Sequence, residues 1–270
     1  MLVAFIPLSL LPGPTLAADT GMFEAQEREA TAVASGVDLI FEIGVSGQVS
    51  PEYEGSDEYS VSPFPIIGFG YLNIPGLFEI GSTGPDEGGF SINPSFNMTG
   101  ERKAGDFDDL KGLDDVDATY EVGAKVGYEW GYAEIYGEAR YAFGGAEGIV
   151  GELGANAIYR PTKTIELKAG PFATLASEDF TETYFGVTAA EADRIGLRLE
   201  AYDPKGGVKS VGVSGSARYE FRRDWFLNAD ASYSQFVGDA KDSPIVKAGD
   251  KNQFTVGFGI SKRFEMDLFD

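Results

Sequence analysis

Most of this chain alternates between apolar and polar residues, and an alternation held for a dozen residues leaves few folds open. Val116, Ala118, Tyr120, Val122, Ala124, Val126, Tyr128 and Trp130 share one parity, and Asp117, Thr119, Glu121, Gly123, Lys125, Gly127 and Glu129 share the other. A period of two puts the sets on opposite faces of a β-strand and on no single face of a helix. The next segment repeats the pattern, with Ala133, Ile135, Gly137, Ala139, Tyr141 and Phe143 against Glu134, Tyr136, Glu138, Arg140 and Ala142. Gly131 between them marks a tight hairpin. Comparable runs near 39–49, 61–71, 76–83, 90–99, 148–160, 164–175, 210–221, 225–234 and 254–261 bring the count to eleven.

Strand length separates two sheet architectures. Soluble strands cluster near about five or six residues, whereas about 9–11 tilted residues cross a bilayer. The runs here are of the longer kind. Their apolar parity carries Tyr128, Trp130, Tyr141, Phe143, Tyr159, Tyr219, Phe221, Trp225 and Tyr233 near strand ends, the placement of an interfacial aromatic girdle. The polar parity carries Glu121, Lys125, Glu134, Glu138, Arg140, Glu166 and Lys168 in mid-strand, which a polar lumen tolerates when opposite signs pair. Closure alone satisfies every backbone group in lipid, so the expected fold is all-β, a closed antiparallel transmembrane β-barrel. The 36 glycines fit curved sheet and close backbone approach.

The connections alternate in length. Short ones fall at 130–131, 160–163 and 222–224, and long ones at 100–115, 178–206 and 237–250. The expected sidedness is short periplasmic turns and long extracellular loops. Single-chain bacterial barrels have even strand numbers, so eleven runs imply twelve strands, with ten as the alternative. Counted back from the C-terminus, the parity fails within 36–99.

Met1 to Ala18 contains no charge, is apolar through Leu11, and offers Thr15-Leu16-Ala17 before a cut, so 1–17 is expected to be a secretory signal peptide. Its basic n-region is truncated, since no Lys or Arg precedes Arg28. Residues 18–35 are a polar leader, 36–264 the barrel and 265–270 a C-terminal tail.

Composition narrows the function. The chain has no His and no Cys, which removes Ser-His-Asp and Cys-His nucleophiles, histidine acid/base catalysis and the usual zinc sites. No catalytic, cofactor or metal residue is expected, and the chain reads as non-enzymatic. A net charge of −22 argues against nucleic acid as a partner, because too few cations are present to displace counterions from phosphates.

Several ordered motifs then point to one family. Pro51-Glu52-Tyr53-Glu54-Gly55-Ser56-Asp57-Glu58-Tyr59, followed by Val61 and Pro63-Phe64-Pro65, resembles the first signature of the MltA-interacting protein (MipA/OmpV) outer-membrane family. Leu110 to Thr119, then Thr183-Tyr184-Phe185-Gly186-Val187-Thr188, then Gly238-Asp239-Ala240 with Asp242-Ser243-Pro244-Ile245-Val246, follow in family order. The resemblance covers about residue 38 to Phe264. It implies an outer-membrane barrel of a Gram-negative envelope, with outer-membrane lipid as its surroundings. For some members it further implies a scaffold joining a lytic transglycosylase to a peptidoglycan synthase, so periplasmic murein-processing enzymes are candidate partners. The alternatives are a small-solute or ion channel and a surface adhesin. Tyr53, Glu54, Gly55, Ser56, Asp57, Tyr184, Phe185, Gly186, Asp242, Ser243 and Pro244 are signature positions of unassigned role. Barrels of this class finish on the aromatic of the last strand, here Phe264, and Glu265 to Asp270 departs from that pattern.

Other motifs have plainer readings. Asp106, Asp108, Asp109, Asp114, Asp115 and Asp117 lack the glycine and terminal glutamate of an EF-hand, and a solvated loop accounts for them. Glu52, Glu54, Asp57 and Glu58 are read as a polar inter-strand loop rather than a glycosidase pair, since no opposing pocket is evident. Thr188 to Leu199 has the spacing of a short amphipathic helix, for which a partner contact, a lumen plug and a packed loop all fit.

Overall fold

The structure is a computed structural model and describes residues 36–81, 88–194 and 199–269. The expected signal peptide and the whole of the leader lie outside the described residues. Eleven strands follow in chain order: β1 (Leu39–Pro51), β2 (Tyr59–Ile74), β3 (Phe78–Gly81), β4 (Gly89–Thr99), β5 (Thr119–Trp130), β6 (Ala133–Gly144), β7 (Gly148–Thr162), β8 (Ile165–Ala176), β9 (Gly207–Arg222), β10 (Trp225–Phe236) and β11 (Asn252–Met266). Four short helices lie in the connections: α1 (Glu178–Phe185), α2 (Ala189–Arg194), α3 (Gly238–Asp242) and α4 (Pro244–Ala248). Among the described residues no helix is long and apolar enough to cross a membrane.

All strands belong to one antiparallel sheet, ordered β3-β2-β1-β11-β10-β9-β8-β7-β6-β5-β4. The first and last long strands pair from Leu39↔Met266 to Val49↔Val256, which curls the sheet round on itself. β11 therefore runs two residues past Phe264, into the expected tail. Beyond it, the Asp38 carboxylate accepts the N–H groups of Leu268 and Phe269, both at 3.0 Å.

The barrel is nearly closed, not closed. The ends of the order, β3 and β4, lie beside each other, yet among the described residues no ladder joins them. This is where the count departs from twelve or ten. β3 is a four-residue stub paired only to Tyr71–Ile74 of β2, and following the ladders round the sheet leaves β3 and β4 running in the same direction. A sequence rich in Gly, Pro and acid from Gly81 to Gly89 is a poor strand former, which is why the alternation fades there.

The faces sort as a membrane demands. Val45 is 67% exposed and Phe258 63%, whereas Glu42 and Glu121 on the opposite face are 7% and 4% exposed. The wall is inverted relative to a soluble protein, polar inside and apolar outside. Hairpins at Ile74–Phe78, Trp130–Ala133, Thr162–Ile165 and Arg222–Trp225 crowd one end. Gly131 (φ 59°) and Asp224 (φ 60°) take the left-handed conformation such turns need. The Asp224 turn is braced by its own N–H on Glu220 at 2.8 Å and by Arg263 at 3.2 Å. The long connections gather at the other end, where 144–148 is the one short exception.

Candidate functional site: the loop cap and the cavity against it

The long connections fold onto one another and give the barrel a core it otherwise lacks. One cluster joins Phe180, Tyr184 and Phe185 of α1 to Val150, Phe236, Ala240 and Val246. A second joins Tyr53, Leu110, Leu113, Val187, Ala192 and Ile245. Leu110, Tyr184, Phe185 and Ile245 are completely buried. Ala192 places α2 in this core, so the described part of the segment, helical over Ala189–Arg194, is a packed loop element.

The signature positions meet here. Tyr53 packs edge-on against Phe107 with ring centroids 4.8 Å apart. Glu54 pairs with Lys209 at 2.6 Å. Gly55 turns at φ 99° with Val246 close enough that a Cβ would lie 2.8 Å from its Cγ2. Its carbonyl accepts the Asp250 N–H at 2.8 Å, and its own N–H reaches Gln253 Oε1 at 3.3 Å. Ser56 is buried, with its Oγ accepting the Glu58 N–H at 3.0 Å. Tyr184 donates its hydroxyl to Thr119 Oγ1 at 2.8 Å. Gly186 closes α1 through its N–H on the Glu182 carbonyl at 2.9 Å, where a Cβ would collide with that carbonyl.

Ser243 ties the pieces together. Its Oγ donates to the Phe185 carbonyl at 2.7 Å and accepts the Ile245 N–H at 3.1 Å, capping α4 with Pro244 as the first helical residue. Three motifs distant in sequence thus form one folded cap. Asp57 and Asp242 are the exceptions, since both stay at its exposed side.

Two charged residues that carry no sequence signal hold the cap. Arg102, flanked by Glu101 and Lys103 in an acidic loop, is 4% exposed. It donates to the carbonyls of Tyr184 at 3.0 Å and Thr183 at 3.4 Å, a cation on the C-terminal turn of α1. Burial pulls its pKa below the ordinary arginine value, against the nearby Tyr184 and Glu191. Glu191 accepts N–H bonds from Asp114 at 2.9 Å and Thr188 at 2.8 Å, and the Thr188 hydroxyl at 2.7 Å. Burial raises its pKa, but these donors outweigh burial and hold the carboxyl below its ordinary range. Burial also raises the phenols of Tyr53 and Tyr184, so both remain protonated.

The acidic loop is structural. Asp115 accepts the Ala104 N–H at 2.8 Å, Asp114 pairs with Arg194 at 2.7 Å and Asp108 with Lys111 at 2.5 Å. Among the described residues no group of three or more carboxylates is arranged to hold a metal ion.

The lumen has two kinds of wall. Along β5 to β8 the inward charges pair: Arg140 with Glu121 at 2.7 Å and with Glu138, Arg160 with Glu129 at 2.8 Å and Glu166 at 2.5 Å, and Lys168 with Glu134 at 3.3 Å. Along β9, β10, β11, β1 and β2 the half of this face nearer the cap is mostly Ser214, Ser216, Ser232, Ser234, Thr255, Ser46, Ser60, Ser62 and glycines, with Gln48 and Asp230 among them and Arg218, Glu220 and Glu42 nearer the short turns. Glu42 of β1, bonded to Arg218 of β9 and to Ser261 of β11, ties three strands of this second wall together. Where this small-residue wall meets the cap lies a cavity of about 660 Å³ lined by Tyr53, Glu54, Thr174, Lys209, Ser234 and Gln253 among others.

Comparison with known proteins agrees with this picture. The MltA-interacting protein of Escherichia coli (strain K12) is 27% identical over 218 residues, 76% of this chain and 84% of its own length. A second relative from the same strain, carrying the provisional name outer membrane protein YiaT, is 28% identical over 163 residues, 57% of this chain and 61% of its own length. Among solved structures, the N-terminal β-barrel domain of Pseudomonas aeruginosa OprF aligns over 66% of this chain and 100% of its own, at 15% identity. Its TM-score of 0.28 is too low to carry an argument. The protein is an outer-membrane β-barrel. A family model described as MltA-interacting protein MipA matches residues 43–264, and the chain belongs to that family.

Proposed function

We propose that this barrel is a non-enzymatic docking protein that holds periplasmic murein-processing enzymes at the outer membrane, with its short turns in the periplasm and its cap outside. The observation that carries the reading is the relative whose name states an interaction with MltA, matched across 84% of its length. The geometry is in keeping with it. Several signature side chains spend their polar groups inside the cap, Glu54 on Lys209, Tyr184 on Thr119 and Ser243 on the Phe185 carbonyl, and most luminal charges along β5 to β8 are paired with opposite signs. The short turns present exposed Lys163, Arg222 and Arg223, a cationic surface for a periplasmic partner to meet.

The test is a pull-down from solubilised envelopes with the intact barrel as bait. A lytic transglycosylase or a peptidoglycan synthase should be retained above the level of an unrelated barrel, and charge reversal at Lys163, Arg222 and Arg223 should weaken retention. Recovery of neither enzyme would overturn the proposal. A small-solute or ion channel is the second reading, favoured by the charged luminal face. Pairing of those charges and the cap over one mouth weigh against it, and steady conductance in a planar bilayer would reverse that judgement.

A further inference from the structure

The cavity is asymmetric in a way the cap does not explain. β1, β7, β8, β10 and β11 line it in mid-strand with inward-facing side chains such as Gln48, Glu152, Thr174, Ser232 and Thr255, and β1 and β9 add consecutive residues only at their cap-side ends, Ser50 with Pro51 and Lys209 with Ser210. β2 and β4 are different. They contribute inward-facing Ser62 and Asn97, and also Pro63 and Met98, which sit on the outward, membrane-facing parity of the same strands. The void therefore reaches residues of both parities on these strands, Pro63 in the body of β2 and Met98 beside the end of β4, and borders the gap between them.

β2 and β4 are also the strands that lack a neighbour. Among the described residues β3 covers only Tyr71–Ile74 of β2, and β4 is paired on one side only, to β5. The rest of β2 therefore faces β4 across a seam without a ladder among the described residues. An open edge in lipid is costly unless its backbone groups are removed or covered. Proline removes the N–H of its residue, and it is confined to edge strands for that reason. Four prolines stand inside strands away from the last two residues, and three of them, Pro63, Pro65 and Pro94, are on β2 and β4. Ser46 Oγ on β1 donates to the Phe64 carbonyl at 3.0 Å, so the even positions of β2 turn their backbone groups to β1. Pro63 and Pro65, at odd positions, turn theirs to the seam, where a missing N–H leaves one fewer donor unsatisfied.

We infer that the luminal cavity opens sideways into the membrane between β2 and β4, and that it takes an amphiphile whose uncharged, hydroxylated head enters the cavity while its alkyl chain stays in the lipid against Pro63 and Met98. The head chemistry follows from the lining. The hydroxyls of Ser60 and Ser62 and the Oδ1 of Asn97, whose amide N–H goes to Glu121 at 2.9 Å, serve as donors and acceptors on the seam side. Five carboxylates line the cavity against two lysines, and both lysines are engaged, Lys209 by Glu54 at 2.6 Å and Lys103 by Glu101 at 3.0 Å. An anionic head finds no free cation there. This site does not depend on the docking function proposed above.

The experiment uses the whole barrel in phospholipid vesicles and an alkyl glucoside carrying a photoreactive diazirine in its chain, with labelled peptides located by mass spectrometry. Labelling should concentrate on 60–64 and 97–99, fall away in the presence of dodecyl maltoside, and persist in the presence of maltose, which has the head without the chain. Ser62→Trp, which fills the cavity from the luminal side, should abolish the concentrated labelling, and Val213→Trp on the far outer wall should not. Asn97→Trp replaces Ser62→Trp if the latter loses the heat-modifiable gel mobility of a folded barrel. Labelling spread evenly over the apolar band would overturn the inference. So would displacement by maltose alone, which would mean a pocket reached from water.

Discussion

Phe258 and Phe180 are the same side chain under opposite rules. Phe258, in the middle of β11, is 63% exposed and faces outward, whereas Phe180, in α1, is 1% exposed and lies 4.9 Å from the ring of Tyr184. The wall is solvated by lipid, so its apolar side chains face out and its charges find partners inside. The cap is solvated by water, so it buries its aromatics and displays its acids, in the manner of a small soluble domain. The chain's net charge follows this division, because the connections forming the cap are far more acidic than basic. A residue's burial in this protein is interpretable only once its solvent is known.

That contrast can be broken from either side. The largest effect is expected in the cap, where Phe180→Ala should remove about 3–5 kcal/mol through the cavity it leaves. Limited proteolysis should then cut within 178–206 while the barrel keeps its heat-modifiable mobility. Loss of the barrel together with the cap would show that the two do not fold as separable layers. Next comes the wall, where Phe258→Arg should cost about 2–4 kcal/mol of unfolding free energy measured by urea titration in vesicles. An unchanged midpoint would mean that this face does not meet the hydrocarbon. The same Phe→Arg change at position 180 would bury an unpaired charge in a protein core, so the two sites should respond by different mechanisms to one substitution.

The wall was legible in the sequence and the cap was not, for the same physical reason. A long strand between two solvents repeats one simple requirement every second residue, so the periodic runs at 116–130 and 133–143 became β5 and β6 almost to the residue. An even strand number follows only where every strand spans, and β3 is a stub paired to four residues of β2. The cap has no such repeat. Helices of five to eight residues show too few turns for periodicity to register, and most of their stability is tertiary. The motifs Tyr53 to Ser56, Tyr184 to Gly186 and Ser243-Pro244 could be picked out, but nothing in their spacing says that Ser243 bonds the Phe185 carbonyl. Arg102 and Glu191 were less visible still, since a buried arginine and a buried carboxylate look like any surface charge until the donors and acceptors around them are known.

Glu191 gives the smallest effect and the most selective test of the cap against the wall. Burial favours its neutral acid, yet three donors from Asp114 and Thr188 favour the carboxylate and prevail, so its pKa is lower in the folded cap than in the unfolded chain. A depressed carboxylate stabilises fully above its unfolded pKa, and the contribution is lost as pH falls through the folded one. The cap should therefore hold unchanged from neutral pH to about 5 and loosen below about pH 4. Its amides at 110–116 and 188–194 should exchange with deuterium faster there, while those of β5 to β11 do not. Glu191→Gln keeps the shape but not the charge, and should cost on the order of 1 kcal/mol at neutral pH. The gap between it and the native chain should close as the native carboxyl protonates. Acid loosening that persisted undiminished in the Gln variant would assign the pH response to other carboxylates of the cap, Asp114 and Asp115 being the nearest, and would remove Glu191 from the account of what holds the cap together.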